Sequence, residues 1–215
     1  MITEKCDRKK IDDFVDNYSE IYYWQNNKEY EDAIDAISNP KKNNNIASNI
    51  EHLKNVMAWK MGLLDKFGEE ESINEENDSM ILKGRAEVNI NSLFDALNSI
   101  DDYDDLEKFF GKMTQVNGVG PVYAITVLHF VSKRKYQLYD RFADIALRAI
   151  ETDTSPWETI PKFKLVSDTT SLKKQVELYK EYCNRLENVF SGKYKYTDRK
   201  VDQALWVYGH MFKMK

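Results

Sequence analysis

Cysteine is nearly missing from this 215-residue chain, with Cys6 and Cys183 its only two. Two thiols exclude a disulfide framework and any four-cysteine metal or iron–sulfur centre, and a reduced cytoplasmic setting is the simplest expectation. Long apolar runs are missing too. The longest, Pro121–Val131, is interrupted by His129 and falls short of the ~18 residues a membrane span needs. The segment Met1–Lys10 is polar and of mixed charge, without the apolar stretch of a signal peptide. The three histidines, His52, His129 and His210, are dispersed and show no metal-binding spacing such as HExxH, so no metal is expected. Neither a Walker loop nor GxGxxG is present. An excess of positive charge is also lacking, since 31 Lys and Arg against 36 Asp and Glu leave −5. That balance counts against gripping nucleic acid through bulk charge.

Glycine and proline are scarce, and apolar residues recur at helical spacing almost everywhere. Ile11, Phe14, Val15, Tyr18, Ile21 and Tyr22 form one stripe. Leu172, Val176, Tyr179, Cys183, Leu186 and Phe190 form another, behind the capping candidates Thr169, Thr170 and Ser171. A third runs Val201, Leu205, Tyr208 and Phe212, with Thr197 or Asp198 as its cap. No alternating strand pair and no internal repeat stands out. The expected fold is all-α and two-lobed, with eight to ten helices. Residues 1–65 are expected to pack with the C-terminal helices of 166–215. Residues 66–80 read as an acidic linker (EEESINEEND at 69–78), and 81–165 as a helical lobe. The run KKNNN at 41–45 reads as a loop. Charge is segregated: residues 66–110 sum to −9, whereas 111–150 and 191–215 each sum to +4.

The most specific segment spans Leu106–Ile150, read as helix, glycine turn, helix, basic loop, helix. Its turn is Val116-Asn117-Gly118-Val119-Gly120-Pro121. Gly118 and Gly120 permit backbone conformations closed to other residues, and Pro121 suits a first helical position. Successive N–H groups of such a turn, with the helix start behind them, form a ready site for a phosphate.

The turn Val116, Gly118, Val119, Gly120, followed by the apolar helix Val122–Val131, the basic loop Ser132–Leu138 and Tyr139-Asp140-Arg141, resembles the HhH-GPD superfamily of base-excision DNA glycosylases. Eighteen positions separate Val122 from Asp140, which suits that superfamily. The runs YDRFADIAL and DRKVDQALWVYG are especially similar to bacterial 8-oxoguanine DNA glycosylase-like proteins. The resemblance implies a helix-hairpin-helix over 104–131 and makes Asp140 the catalytic carboxylate. It implies double-stranded DNA with a damaged or mismatched base, such as an oxidised purine, as the partner of a monomeric enzyme. Gly118, Val119, Gly120 and Val122 would then hold a backbone phosphate, with Lys133, Arg134, Lys135 and Arg141 adding salt-sensitive affinity. No cofactor is required, a monovalent cation at the hairpin turn being the one candidate. Three departures stand out, one being that two cysteines cannot build the iron–sulfur loop of some relatives. The position that carries a lysine in bifunctional glycosylase/lyases is Val122, so no Schiff base forms from there. Position 142, a histidine in many relatives, is Phe142.

Each residue also has a plainer role. Asp140 can be an N-cap alone, the glycines an ordinary interhelical turn, and the basic run a solvated loop. Lys60 shares a stripe with Ile50, Leu53, Met57 and Leu64; it snorkels, or its amine contacts a flipped base, a phosphate or the sugar in place of the lyase lysine. The tryptophans suit a core; if one lines a base pocket, Trp59 beside Lys60 is the choice. Two rival functions remain open: a non-catalytic helix-hairpin-helix DNA-binding protein, and a helical protein-interaction module.

Overall fold

The computed structural model of the chain describes residues 8–22, 30–31, 34, 46–61, 73–74, 79–81, 87–155 and 165–211. These are mostly helical, as expected. The described helices are α1 (Arg8–Glu20), α2 (Ile46–Met61), α3 (Ile90–Asn98), α4 (Leu106–Met113), α5 (Pro121–Val131), α6 (Arg141–Thr152), α7 (Leu172–Val189) and α8 (Arg199–Met211). Three short strands were not anticipated: β1 (Ile73–Asn74), β2 (Ser79–Ile81) and β3 (Glu87–Asn89). They form an antiparallel sheet in the order β1-β2-β3, with Met80 opposite both Ile73 and Val88. Strands of two or three residues are too short to display an alternating pattern, which is why this stretch reads as a linker. The expected loop at 41–45 and the rest of the acidic run at 69–78 lie outside the described residues.

The chain divides into two compact units, one of residues 1–23 with 137–215 and one of residues 24–136. The lobe expected over 81–165 is thus split after Tyr136, and α2 belongs with the hairpin helices rather than with the C-terminal ones.

In the discontinuous unit, α8 is the hub, packed on both α1 and α6. The rings of Phe14 and Tyr18 meet Tyr208 at 5.4 and 5.0 Å. Ile21, expected on the apolar stripe, is half exposed because α1 ends at Glu20. Helix α7 starts at Ser171, whose hydroxyl accepts from the Lys174 N–H. Gly209 sets the contact of α8 with α6. A Cβ there would lie 2.2 Å from the carbonyl oxygen of Phe142 and 2.6 Å from its carbonyl carbon, so this approach admits only glycine. No role for Gly209 is visible in the sequence.

In the continuous unit, α5 is the central helix. Every residue from Ala124 to Val131 is buried, as befits a helix apolar around its whole circumference, and α2 and α4 pack against it. His129, only 3% exposed, is satisfied within this core. The Tyr30 hydroxyl lies 2.7 Å from its Nε2 and the Tyr136 carbonyl 2.7 Å from its Nδ1. Since a carbonyl can only accept, Nδ1 carries the proton and Nε2 accepts from the tyrosine.

Candidate functional site

The hairpin turn is built as its sequence implies, with one correction. Helix α4 ends at Met113, the chain turns through Thr114–Gly120, and α5 starts with Pro121 at its first position. Val116 and Val119 turn inward and are buried, and the Val119 N–H donates to the Val116 carbonyl at 3.0 Å. Gly118 has a φ of 79°, the left-handed region that favours glycine. Gly120 does not need that freedom. Its φ of −85° and ψ of 175° are open to any residue, and a Cβ there would meet nothing within 4 Å.

What Gly120 does instead is leave the start of α5 without a side-chain cap. Asn89, Asp105, Asp140 and Ser171 cap α3, α4, α6 and α7 by accepting from a backbone N–H. Gly120 has no side chain to accept from the first turn of α5, where Val122 contributes one of the N–H donors. The turn carries no carboxylate, so a monovalent cation there would rest on neutral oxygens. Among the described residues no group of His, Cys, Asp or Glu is arranged to hold a metal ion.

The basic loop follows directly from α5. Lys133 and Arg134 both have left-handed backbones, with φ of 54° and 67°. The first closes α5: the Lys133 N–H reaches the Phe130 carbonyl at 3.2 Å and the Arg134 N–H the His129 carbonyl at 2.9 Å. This is the pairing of a Schellman cap, in which glycine usually takes the position of Lys133. Two of the three cations are engaged within their own unit. Arg134 pairs with Glu31 and lies 5.2 Å from the centre of the Tyr30 ring. Lys135 pairs with Asp104, which also accepts from the Tyr136 hydroxyl at 2.9 Å. These contacts, Lys135 first, hold the Asp104 carboxyl below its ordinary range. Lys133 is exposed and has no ion pair among the described residues. The +4 of residues 111–150 thus overstates the charge available to a partner.

Asp140 belongs to the other unit, at the start of α6. Its Oδ1 accepts from the Phe142 N–H at 2.8 Å, so the capping role is realised. The preceding Tyr139 is wholly buried and anchors this corner. Its hydroxyl donates to Asp144 Oδ2 at 3.1 Å and accepts from the Val166 N–H at 3.2 Å. Burial, then the charge of Asp144, pushes the Tyr139 phenol far above its ordinary value. Asp144 also takes Arg148 Nε at 3.1 Å and pairs with Arg185. Arg185 in turn holds Glu151 at 3.0 Å. Tyr139, one residue before the cap of α6, and Asp144, four residues after it, are therefore fixed by a buried network.

Beside Asp140 lies a row of half-buried rings that the sequence does not single out. The Phe142 and His210 rings lie 4.1 Å apart, and His210 stacks on Trp206 at 3.8 Å. The exposed Arg141 guanidinium stands 5.3 Å from the centre of the Phe142 ring. Trp206 and His210 occupy positions i and i+4 of α8, and Gly209 brings them against α6. The signal that could have found them is the pairing of WVYGH with a glycine inside a helix. Trp59, the choice if one tryptophan lined a base pocket, is a core residue of the continuous unit, as the tryptophans were expected to be. It is 7% exposed and packed 5.5 Å from the rings of both Tyr30 and Phe130. Lys60 is half-buried in the last turn of α2; Asp140 is not in its unit.

Compared with known proteins, the chain matches no family model, no curated protein and no solved structure. Among the described residues no helix is long and apolar enough to cross a membrane.

Proposed function

We propose that the chain is a DNA N-glycosylase that removes a damaged or mismatched base, such as an oxidised purine, from duplex DNA. The observation that carries this reading is the uncapped start of α5 behind a left-handed Gly118, in a chain whose next helix opens on an aspartate. The turn offers backbone N–H groups to a phosphate. Lys133 and Arg141 supply cations that have no ion pair among the described residues. Extruding the target base costs roughly a few kcal/mol. Asp140 would then stabilise the oxocarbenium-like sugar and orient the attacking water. The apolar Val122 supplies no amine for a Schiff base, so the product is an intact abasic site.

The test is a panel of lesion-bearing duplexes incubated with the full chain and with Asp140→Asn, then treated with hot alkali. Asparagine caps a helix about as well as aspartate, so this variant keeps the fold and removes the charge. At least one lesion should give alkali-dependent strand breaks that Asp140→Asn reduces by about a hundredfold or more. Strand breaks without alkali would contradict the monofunctional assignment. A panel with no Asp140-dependent breaks would overturn the enzyme reading.

A second reading is favoured by one observation, the direct use of Asp140 as the cap of α6. In it the chain binds duplex DNA without chemistry. Its signature is salt-sensitive duplex binding with no base released and no response to Asp140→Asn. A helical interaction module would bind no duplex even at low salt.

A further inference from the structure

Arg134 and Lys135 would serve phosphate binding only if they could leave the carboxylates that already hold them. Asp104 is the centre of the arrangement. One of its oxygens takes the Lys135 ammonium and the other the Tyr136 hydroxyl, while Glu31 takes Arg134. The three loop residues Arg134, Lys135 and Tyr136 are thus each tied to an acidic side chain of their own unit. Their segment joins the hairpin helix to the strand of chain that ends in Asp140.

Three features distinguish this from incidental surface pairing. First, the pairs converge on one loop, and Asp104 accepts from two neighbouring residues at once. Second, the loop carries two consecutive left-handed non-glycine residues, Lys133 and Arg134, a conformation that side chains disfavour. Third, the pairs are accessible: Asp104 and Lys135 are each 55% exposed. Exposed pairs are weak and screened by salt, so another anion can replace them. A carboxylate with two oxygens, one on an ammonium and one on a hydroxyl, presents the loop with the same contacts as a phosphate would.

We propose that Asp104 and Glu31 form an internal anion that occupies the basic loop until a nucleic-acid backbone displaces it. This rests on the reading of the chain as a duplex-DNA-binding protein. The exchange lowers affinity for any duplex and leaves Lys133 as the first cation of the loop to meet the phosphate backbone. It is an autoinhibitory contact, and it makes the affinity of the wild-type chain smaller than its cationic sequence implies.

The experiment is a fluorescence-anisotropy titration of the full chain with a labelled, undamaged duplex at low and at moderate salt. Asp104→Asn should tighten binding by about two- to fivefold. Asp95→Asn, which removes an exposed carboxylate from α3 of the same unit, serves as the control for net charge and should tighten it less than half as much. The gain must also depend on the cation released. Lys135→Ala alone should change affinity by less than about twofold, but in the Asp104→Asn background it should abolish the gain. Equal gains from Asp104→Asn and Asp95→Asn would overturn the proposal, as would a gain that survives Lys135→Ala. Salt-sensitive binding by the wild type with no response to Asp104→Asn overturns this contact alone. If neither wild type nor variants bind duplex at low salt, the DNA reading and this proposal fall together.

Discussion

Asp144 and Asp104 do the same thing in different surroundings, one in each unit. Each accepts a tyrosine hydroxyl, from Tyr139 and from Tyr136, and each pairs with basic side chains. Asp144 is 2% exposed and faces Arg148 and Arg185; Asp104 is 55% exposed and faces Lys135. Inside a protein, losing one member of such a network leaves the other charges buried with too few partners. At the surface, water replaces whatever is lost. Burial therefore makes one cluster a structural clamp under the Asp140 corner and leaves the other an exchangeable contact on the basic loop.

The sharpest way to break this comparison is to delete each carboxylate and compare the melting transitions. Asp144→Ala should destabilise the fold by about 3–5 kcal/mol, while Asp104→Ala should leave the melting temperature unchanged within error. Similar losses from both would mean that burial is not what separates them.

A smaller effect tests the packing that brings α8 to the same corner. Gly209→Ala forces a Cβ onto the Phe142 backbone, and should cost about 1–3 kcal/mol by thermal or urea unfolding. Because Phe142 donates the N–H that caps through Asp140, the glycosylase proposal expects base release to fall further than stability at a temperature where the variant is folded. Gly120→Ala, at an open position with an ordinary backbone, should be neutral in stability and weaken only duplex binding.

The smallest effect concerns Cys183, on α7 within the discontinuous unit. Burial pushes its thiol up to about 11 from 9.0, against hydrogen bonds that pull it down. The folded value is the higher one, so the stability gained by keeping the thiol neutral is complete below pH 9. It is lost as pH rises toward about 11. Near neutrality no pH effect on stability should come from it, and iodoacetamide should modify Cys183 in denaturant but barely in the native chain. Rapid alkylation of Cys183 itself in the native protein at pH 8, read by peptide mapping apart from Cys6, would contradict the shielding of its thiol.

The helices were legible because three- and four-residue apolar spacing is a local property. The stripe Leu172 to Phe190 becomes α7 behind Ser171, Pro121 occupies the first position of α5, and Asp140 stands as the cap of α6. His129 was legible as a core residue from its apolar neighbours alone. The short sheet was not, since three-residue strands carry no period. Nor were the boundaries of the two units, because they depend on which helix packs on which. The core place of Trp59 was legible as well, as for any tryptophan in an apolar helix, but that the rings of Tyr30 and Phe130 close around it depends on the packing.

The sequence by itself determined a mostly helical chain, the glycine turn between two helices, and the aspartate that opens the next helix. It could do so because propensity, capping and turn chemistry act over a few residues. Only the tertiary structure decided that Gly118 needs its glycine and Gly120 does not, and that Gly209 carries the close contact. It also decided that two of the three loop cations are already paired. Those outcomes depend on groups as far apart in the chain as Glu31 and Arg134, or Phe142 and Gly209, which meet only when the helices pack.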